Sequence, residues 1–160
     1  MSFARMTEDL SSIRGFNYQS AATPHHTQHW LDYNPAHTEF ELDLAKRLNL
    51  NQARVFITYD AYTPDPKTFL ERLLHLAGAC ERRDIGLMVT IMYRRDLVAD
   101  RSQWPVFRGY ASDLVQALSG HPALACWDVS NEPDWGGGRL SPEQVALRVD
   151  HARYMADLFH

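Results

Sequence analysis

The sequence predicts an α/β fold in which parallel β-strands alternate with α-helices. Three observations carry that expectation: four short apolar or β-branched runs, a helical pattern after each, and a nearly even spacing between them. The runs begin at residues 13, 53, 86 and 124, so their starts lie 40, 33 and 38 residues apart. That is the size of one strand, loop and helix, and parallel strands need such crossovers.

The first run, Ile13 to Tyr18, is bounded by polar residues and reads as a buried strand. The stretch from Pro35 to Leu48 follows, with Phe40, Leu44, Ala45 and Leu48 as the apolar face expected to lie on the sheet. Ala53 to Tyr59 is the second strand. Pro66 to Arg83 then carries Phe69, Leu70, Leu73, Leu74, Ala77 and Cys80 on one broad face. Gly86 to Met92 is the third strand, and the helix from Pro105 to Ser119 presents Val106, Tyr110, Leu114 and Leu118. Leu124 to Ser130 is the fourth. Ser141-Pro142-Glu143-Gln144 opens the last helix with an N-cap serine, proline at the first helical position and glutamine three residues after the cap.

Composition bounds what this fold can do. The chain has 160 residues, 45% hydrophobic and 22% charged, which suits one domain over residues 1–160 and excludes a disordered or fibrous chain. A formal net charge of −4 gives no footprint for nucleic acid. There is no apolar run long enough to span a membrane, and Met1 to Glu8 contains no export-type apolar segment, so a soluble chain is expected, its location cytoplasmic or left open. Cys80 and Cys126 sit among apolar neighbours and read as reduced thiols. Gly15-Phe16-Asn17-Tyr18-Gln19-Ser20 has no phosphate-binding fingerprint, and no cofactor is expected. Two architectures fit the element order: an open doubly wound sheet, favoured by length, and a segment of a (β/α)8 barrel.

The exit of the fourth strand, Trp127-Asp128-Val129-Ser130-Asn131-Glu132-Pro133-Asp134-Trp135, favours the barrel, because it sets Asn and Glu side by side where barrel enzymes hold their chemistry. Together with Arg14-Gly15-Phe16-Asn17-Tyr18 on the first strand and Asn51-Gln52-Ala53-Arg54-Val55-Phe56 on the second, this pattern resembles clan A glycoside hydrolases, most closely the family 5 cellulase and mannanase-like enzymes. The resemblance implies a (β/α)4 half of a TIM barrel, with parallel strands and outer helices, acting on or binding β-linked saccharides. It makes Glu132 the general acid/base, Asn131 the partner of a sugar hydroxyl and Arg54 the residue orienting carboxylates. If Glu132 points inward, the two-residue period sends Asp128 and Ser130 inward too, with Trp127 and Val129 packing outward. Tyr18 and Trp135 are the expected stacking platforms for sugar C–H faces. Tyr93 stands where many relatives carry a histidine, and Arg94-Arg95 beside it reads as solvated surface or as a contact for an acidic sugar.

The family's nucleophile follows a seventh strand, and four units do not reach it. The expectation is therefore a homodimer, each first strand pairing with the partner's fourth, with two copies of Glu132 at one mouth and Asp60 as another possible partner carboxylate. The competing reading is a non-catalytic carbohydrate-binding or assembly half-barrel. His25 and His29, with His37 or Asp32, could compose a metal site, but a polar loop is the expected reading and no metal is assigned. Gly136-Gly137-Gly138 reads as a flexible loop beside the mouth.

Overall fold

A computed structural model describes residues 10–132 and 140–159. Four parallel strands form one sheet in the order β1-β2-β3-β4: β1 (Gly15–Tyr18), β2 (Gln52–Thr58), β3 (Gly86–Met92) and β4 (Leu124–Asp128). The main helices are α2 (Pro35–Arg47), α4 (Pro66–Glu81), α6 (Trp104–Leu118) and α7 (Pro142–Ala156), one after each strand. Three short helices were not anticipated: α1 (His26–Leu31), α3 (Tyr59–Tyr62) and α5 (Arg95–Val98). No helix among the described residues is long and apolar enough to cross a membrane.

The two-residue period of the strands divides the sheet into two faces. Ala53, Val55 and Ile57 on β2 and Leu87, Val89 and Ile91 on β3 are fully buried against the helices. Their opposite numbers include Arg54, Met88 and Cys126, which lie in register across β2, β3 and β4. On this second face Gly15 and Asn17 are exposed, while Gln52, Arg54 and Met88 are half-buried around an open groove. Both cysteines are free: Cys80 is buried among helices, where loss of solvent pushes its thiol up to about 12, and Cys126 is half-buried.

Local chemistry sets the helix ends. Asn34 and Asp65 accept hydrogen bonds from the amides of His37 and Thr68 at 3.0 and 3.1 Å, each ahead of a proline. Ser141 and Gln144 form the expected reciprocal capping box on α7. Asn49 and Asp84 adopt left-handed backbones (φ 59° and 52°) just past α2 and α4, where the amides of Leu50 and Ile85 reach back to Ala45 and Cys80. Between α2 and α4, Arg83 bonds Asp43 at 2.8 Å and Glu39 at 2.6 Å, and Arg82 also bonds Glu39.

One expectation about packing is corrected. On α2 the residues facing the sheet are Thr38, Leu42 and Ala45, whereas Phe40, Leu44 and Leu48 are 56%, 39% and 72% exposed. The apolar spacing was read correctly as helical, but Ala45 belongs to one face and the other three to another. Glu39 and Asp43 fix the rotation of the helix by pairing with α4.

Two buried histidines carry a pH consequence. Burial lowers the His151 pKa to about 4. Burial also lowers His29 to about 4, where Glu41 opposes it and His26 adds to it. Both are neutral in the fold and gain protons more readily when unfolded, near the ordinary 6.5, so stability is full above that value and is lost as pH falls toward about 4. Denaturant titrations from pH 7 to 4 should show this decline. His151→Phe, which keeps the ring contact with Tyr93, should make it shallower.

Candidate active site

The chemistry-bearing residues meet at the C-terminal ends of β2, β3 and β4, on the face away from the helices. Arg54 on β2 donates through Nε to Thr90 Oγ1 on β3 at 2.9 Å, and through Nη2 to Asp128 Oδ2 on β4 at 2.5 Å and Asn131 Oδ1 at 3.1 Å. Thr90 completes the circuit by donating to Asp128 Oδ2 at 3.0 Å. Parallel register brings these residues together: Phe56 pairs with Thr90 and Thr90 with Asp128, which places Arg54 within reach of both from two residues back. The long arginine side chain spans that offset.

Aromatic groups frame the cluster. The Arg54 guanidinium lies over the Phe56 ring at 4.6 Å, and His26 stacks on Phe56 with centroids 4.3 Å apart. Burial holds the His26 imidazole below its ordinary pKa, with the charges of His25 and Arg54 adding to the effect. α1 is anchored here by Trp30, whose indole N–H donates to the Phe56 carbonyl at 2.7 Å.

Glu132 is exposed and has φ 45°. Of the positive-φ residues described, Asn49, Asp84 and Gly120 follow the C-terminal ends of helices, where such backbones are ordinary. Glu132 instead follows a strand, and a left-handed glutamate costs roughly 1 kcal/mol or more and persists only where the surroundings impose it. Non-glycine residues in that conformation collect at functional sites.

The structure sorts the residues expected from sequence. Arg54, Asn131 and Asp128 converge as described, and Glu132 follows Asn131 directly. Tyr18 does not join them: it is 4% exposed on the helix side, its hydroxyl donates to Glu41 on α2 at 3.0 Å, and its ring packs edge-on against His29. Tyr93 also turns toward the helices, against Phe107, Tyr110 and His151, with its hydroxyl buried and unpartnered. The Tyr18 expectation is corrected, because the terminal strand residue of β1 falls on the helix-facing phase. Tyr93 falls on that phase too, yet it lines one pocket with Val129, Ser130 and Asn131, so its contact with substrate stays a proposal. Trp135 lies outside the described residues. Asp60 is largely exposed, 3.9 Å from Arg94.

The histidine cluster diverges. His25 caps α1 by accepting from the Gln28 amide, His29 accepts from the Ser20 amide, and His37 lies 3.6 Å from Glu41. Among the described residues there is no group of three or more His, Cys, Asp or Glu able to hold a metal ion. Sequence reasoning assigned no role to Thr90 or His26. Thr90 carried a usable signal, as a polar residue at the inward phase of an otherwise apolar strand, whereas nothing local marks His26.

Comparison with solved structures shows the same fold in larger proteins. A GH5_18 protein from Streptomyces cattleya, crystallised in complex with Manβ1-4GlcNAc, is 22% identical with a TM-score of 0.74, covering 92% of this chain and 41% of its own. An exo-β-1,4-mannosidase from Opitutaceae bacterium strain TAV5 is 22% identical with a TM-score of 0.77, covering 96% of this chain and 32% of its own. A GH5_18 protein from Bifidobacterium longum, also in complex with Manβ1-4GlcNAc, is 12% identical with a TM-score of 0.69 over 92% of this chain and 42% of its own. No family model and no curated protein matches the chain. Its four βα units thus have the fold of part of a GH5-type TIM barrel, and it spans less than half the length of these neighbours.

The cluster makes a stability prediction. Arg54→Met leaves Asp128 without its cation and should cost about 2 kcal/mol in denaturant unfolding. Adding Asp128→Leu should recover part of that loss, since both charges are then removed together.

Proposed function

We propose that this chain carries the acid/base side of a glycoside hydrolase site for β-linked saccharides, with Glu132 as general acid/base. The observation that carries the reading is the Arg54–Thr90–Asp128–Asn131 circuit beside a left-handed Glu132 at the strand exits. The Manβ1-4GlcNAc bound to one structural neighbour, and another neighbour's being an exo-β-1,4-mannosidase, favour a β-mannosidic ligand.

In this reading Glu132 gives its proton to the glycosidic oxygen as the bond to the anomeric carbon breaks. Asn131 has its side-chain oxygen engaged by Arg54, and its NH2 is the group assigned here as donor to a sugar hydroxyl. Asp128 is held by Arg54 and Thr90, so it acts as a fixed negative charge that orients Arg54 rather than as a nucleophile. The second carboxylate is then Glu132 of a second copy, across a closed eight-stranded sheet. Two opposed carboxylates separated by about 6.5–9.5 Å leave room for a water and give inversion. In each turnover the protonated one gives its proton to the leaving oxygen, while the ionised one takes a proton from the water whose oxygen bonds to the anomeric carbon. Exchange with solvent resets the pair. Trp135 remains the proposed stacking platform.

A non-catalytic saccharide-binding role is the second reading. It is favoured by the same engagement of Asp128, which removes a nearby carboxylate from the chemistry.

The test is hydrolysis of aryl β-mannosides and β-1,4-linked oligosaccharides by wild type and Glu132→Gln. The proposal expects kcat/KM to fall at least 100-fold with saccharide binding retained. Equal residual rates in the two proteins would remove Glu132 from the mechanism, and binding without turnover in either would establish the second reading.

A further inference from the structure

Four buried side-chain polar atoms lack a hydrogen-bond partner among the described residues, and two of them, the Tyr93 hydroxyl and His151 Nε2, belong to residues that line one cavity. A polar atom shut away from water without a partner costs about 1–3 kcal/mol, so two around one space call for an occupant. The cavity measures about 50 Å³. One water needs about 10–15 Å³, so there is room for a substituent of two or three heavy atoms.

Three segments build this cavity: Tyr93 just after β3, Ser130 and Asn131 after β4, and His151 on α7. Its two rings are held by packing, Tyr93 against Phe107 and Tyr110, His151 against Trp104 and Phe107. They meet edge-on with centroids 4.9 Å apart, yet do not bond each other. Val98 and Val129 supply apolar wall, and Arg148 brings a guanidinium to the same lining. Asn131 belongs both to this cavity and to the charged cluster, where its side-chain oxygen accepts from Arg54 at 3.1 Å. A sugar ring resting on Asn131 therefore has the cavity beside it. Mixed walls with a few fixed polar atoms are the make-up of a ligand site.

We propose that the cavity receives the hydroxymethyl group of a hexose bound at Asn131, its oxygen bonding the Tyr93 hydroxyl and His151 Nε2 and its methylene lying on Val98 and Val129. This rests on the saccharide-binding reading above and names the substituent that the site selects. A hydroxyl both donates and accepts, so one oxygen satisfies both atoms whichever nitrogen of His151 carries the proton, because the phenol can take either role. An acyl oxygen only accepts. Ring hydroxyls stand one bond from the ring and the hydroxymethyl oxygen two, so of the groups on an unmodified hexose this one reaches furthest into a recess. A carboxylate could address Arg148, but the same burial that keeps His151 neutral penalises a second charge brought in against it.

The experiment is an NMR titration of wild type and Tyr93→Phe with methyl β-D-mannopyranoside, its 6-deoxy analogue and the corresponding 6-carboxylate, following the His151 imidazole nitrogens. The proposal expects the mannoside to bind at least about 10-fold more tightly than the 6-deoxy sugar, because a site built to bond a hydroxyl rejects the analogue that lacks it. It expects the His151 nitrogens to shift with the mannoside alone. Tyr93→Phe should lose most of that preference while binding the 6-deoxy sugar as wild type does, and His151→Phe is the second variant should the first fold poorly. Equal affinity for the two neutral sugars, or an equal loss for both in Tyr93→Phe, would overturn the cavity assignment and leave saccharide binding standing, with water as the occupant. Tightest binding of the 6-carboxylate would overturn the neutral substituent in favour of an acidic sugar. Binding of none of the three would overturn the saccharide reading, and this subsite with it.

Discussion

The guanidinium of Arg54 is the brace on which the open side of the sheet depends. It touches β3 through Thr90 and the end of β4 through Asp128 and Asn131, so one side chain ties three strands on the face turned away from the main helices. An apolar core holds the other face chiefly by burial. On the open face charge pairing does that work, in a half-exposed setting where water still reaches the ions. The brace therefore contributes moderately to stability and strongly to geometry: it fixes where the strand exits point, and with them Asn131 and the residue that follows it.

That division follows from the two-residue period of parallel strands. Residues 53, 55 and 57 must be apolar because α2 and α4 sit behind them, which frees 54 and 56 to carry chemistry. The same rule explains Tyr18 and Tyr93. Each was assigned to the saccharide side from its position near a strand exit, yet both lie in the helix-facing phase and spend their rings on the core. Position along a strand tells how near the mouth a residue is, and phase tells which side it serves.

Strand number, strand boundaries within about two residues, the parallel order and the capped helices were legible because each rests on local signals: β-branched runs, Asn, Asp or Ser before proline, and the capping box of α7. Asn131 and Glu132 stood out side by side at the exit of the fourth strand, whereas Arg54 came only from the resemblance to clan A glycoside hydrolases. Less was legible where tertiary contacts decide. α1 was hidden in a polar, histidine-rich stretch, and it is held there by tertiary contacts: Trp30 bonds the Phe56 carbonyl and Arg72 bonds the carbonyls of Trp30 and Leu31. The rotation of α2 depends on Arg82 and Arg83, more than forty residues away from Glu39 in the chain, so its exposed stripe was mistaken for its core face. The left-handed backbone of Glu132 has no sequence signature at all, since glutamate seldom adopts it.

The central claim is that a β-linked saccharide binds at the Arg54–Asn131 cluster on the open face. The direct test is an NMR titration of isotope-labelled protein with a β-1,4-linked mannose disaccharide, following the Arg54 Nε–H and the Asn131 side-chain amide. The account predicts saturable shifts at both groups, reduced in Asn131→Ala. Absence of shifts at both groups, with shifts gathered elsewhere, would contradict it.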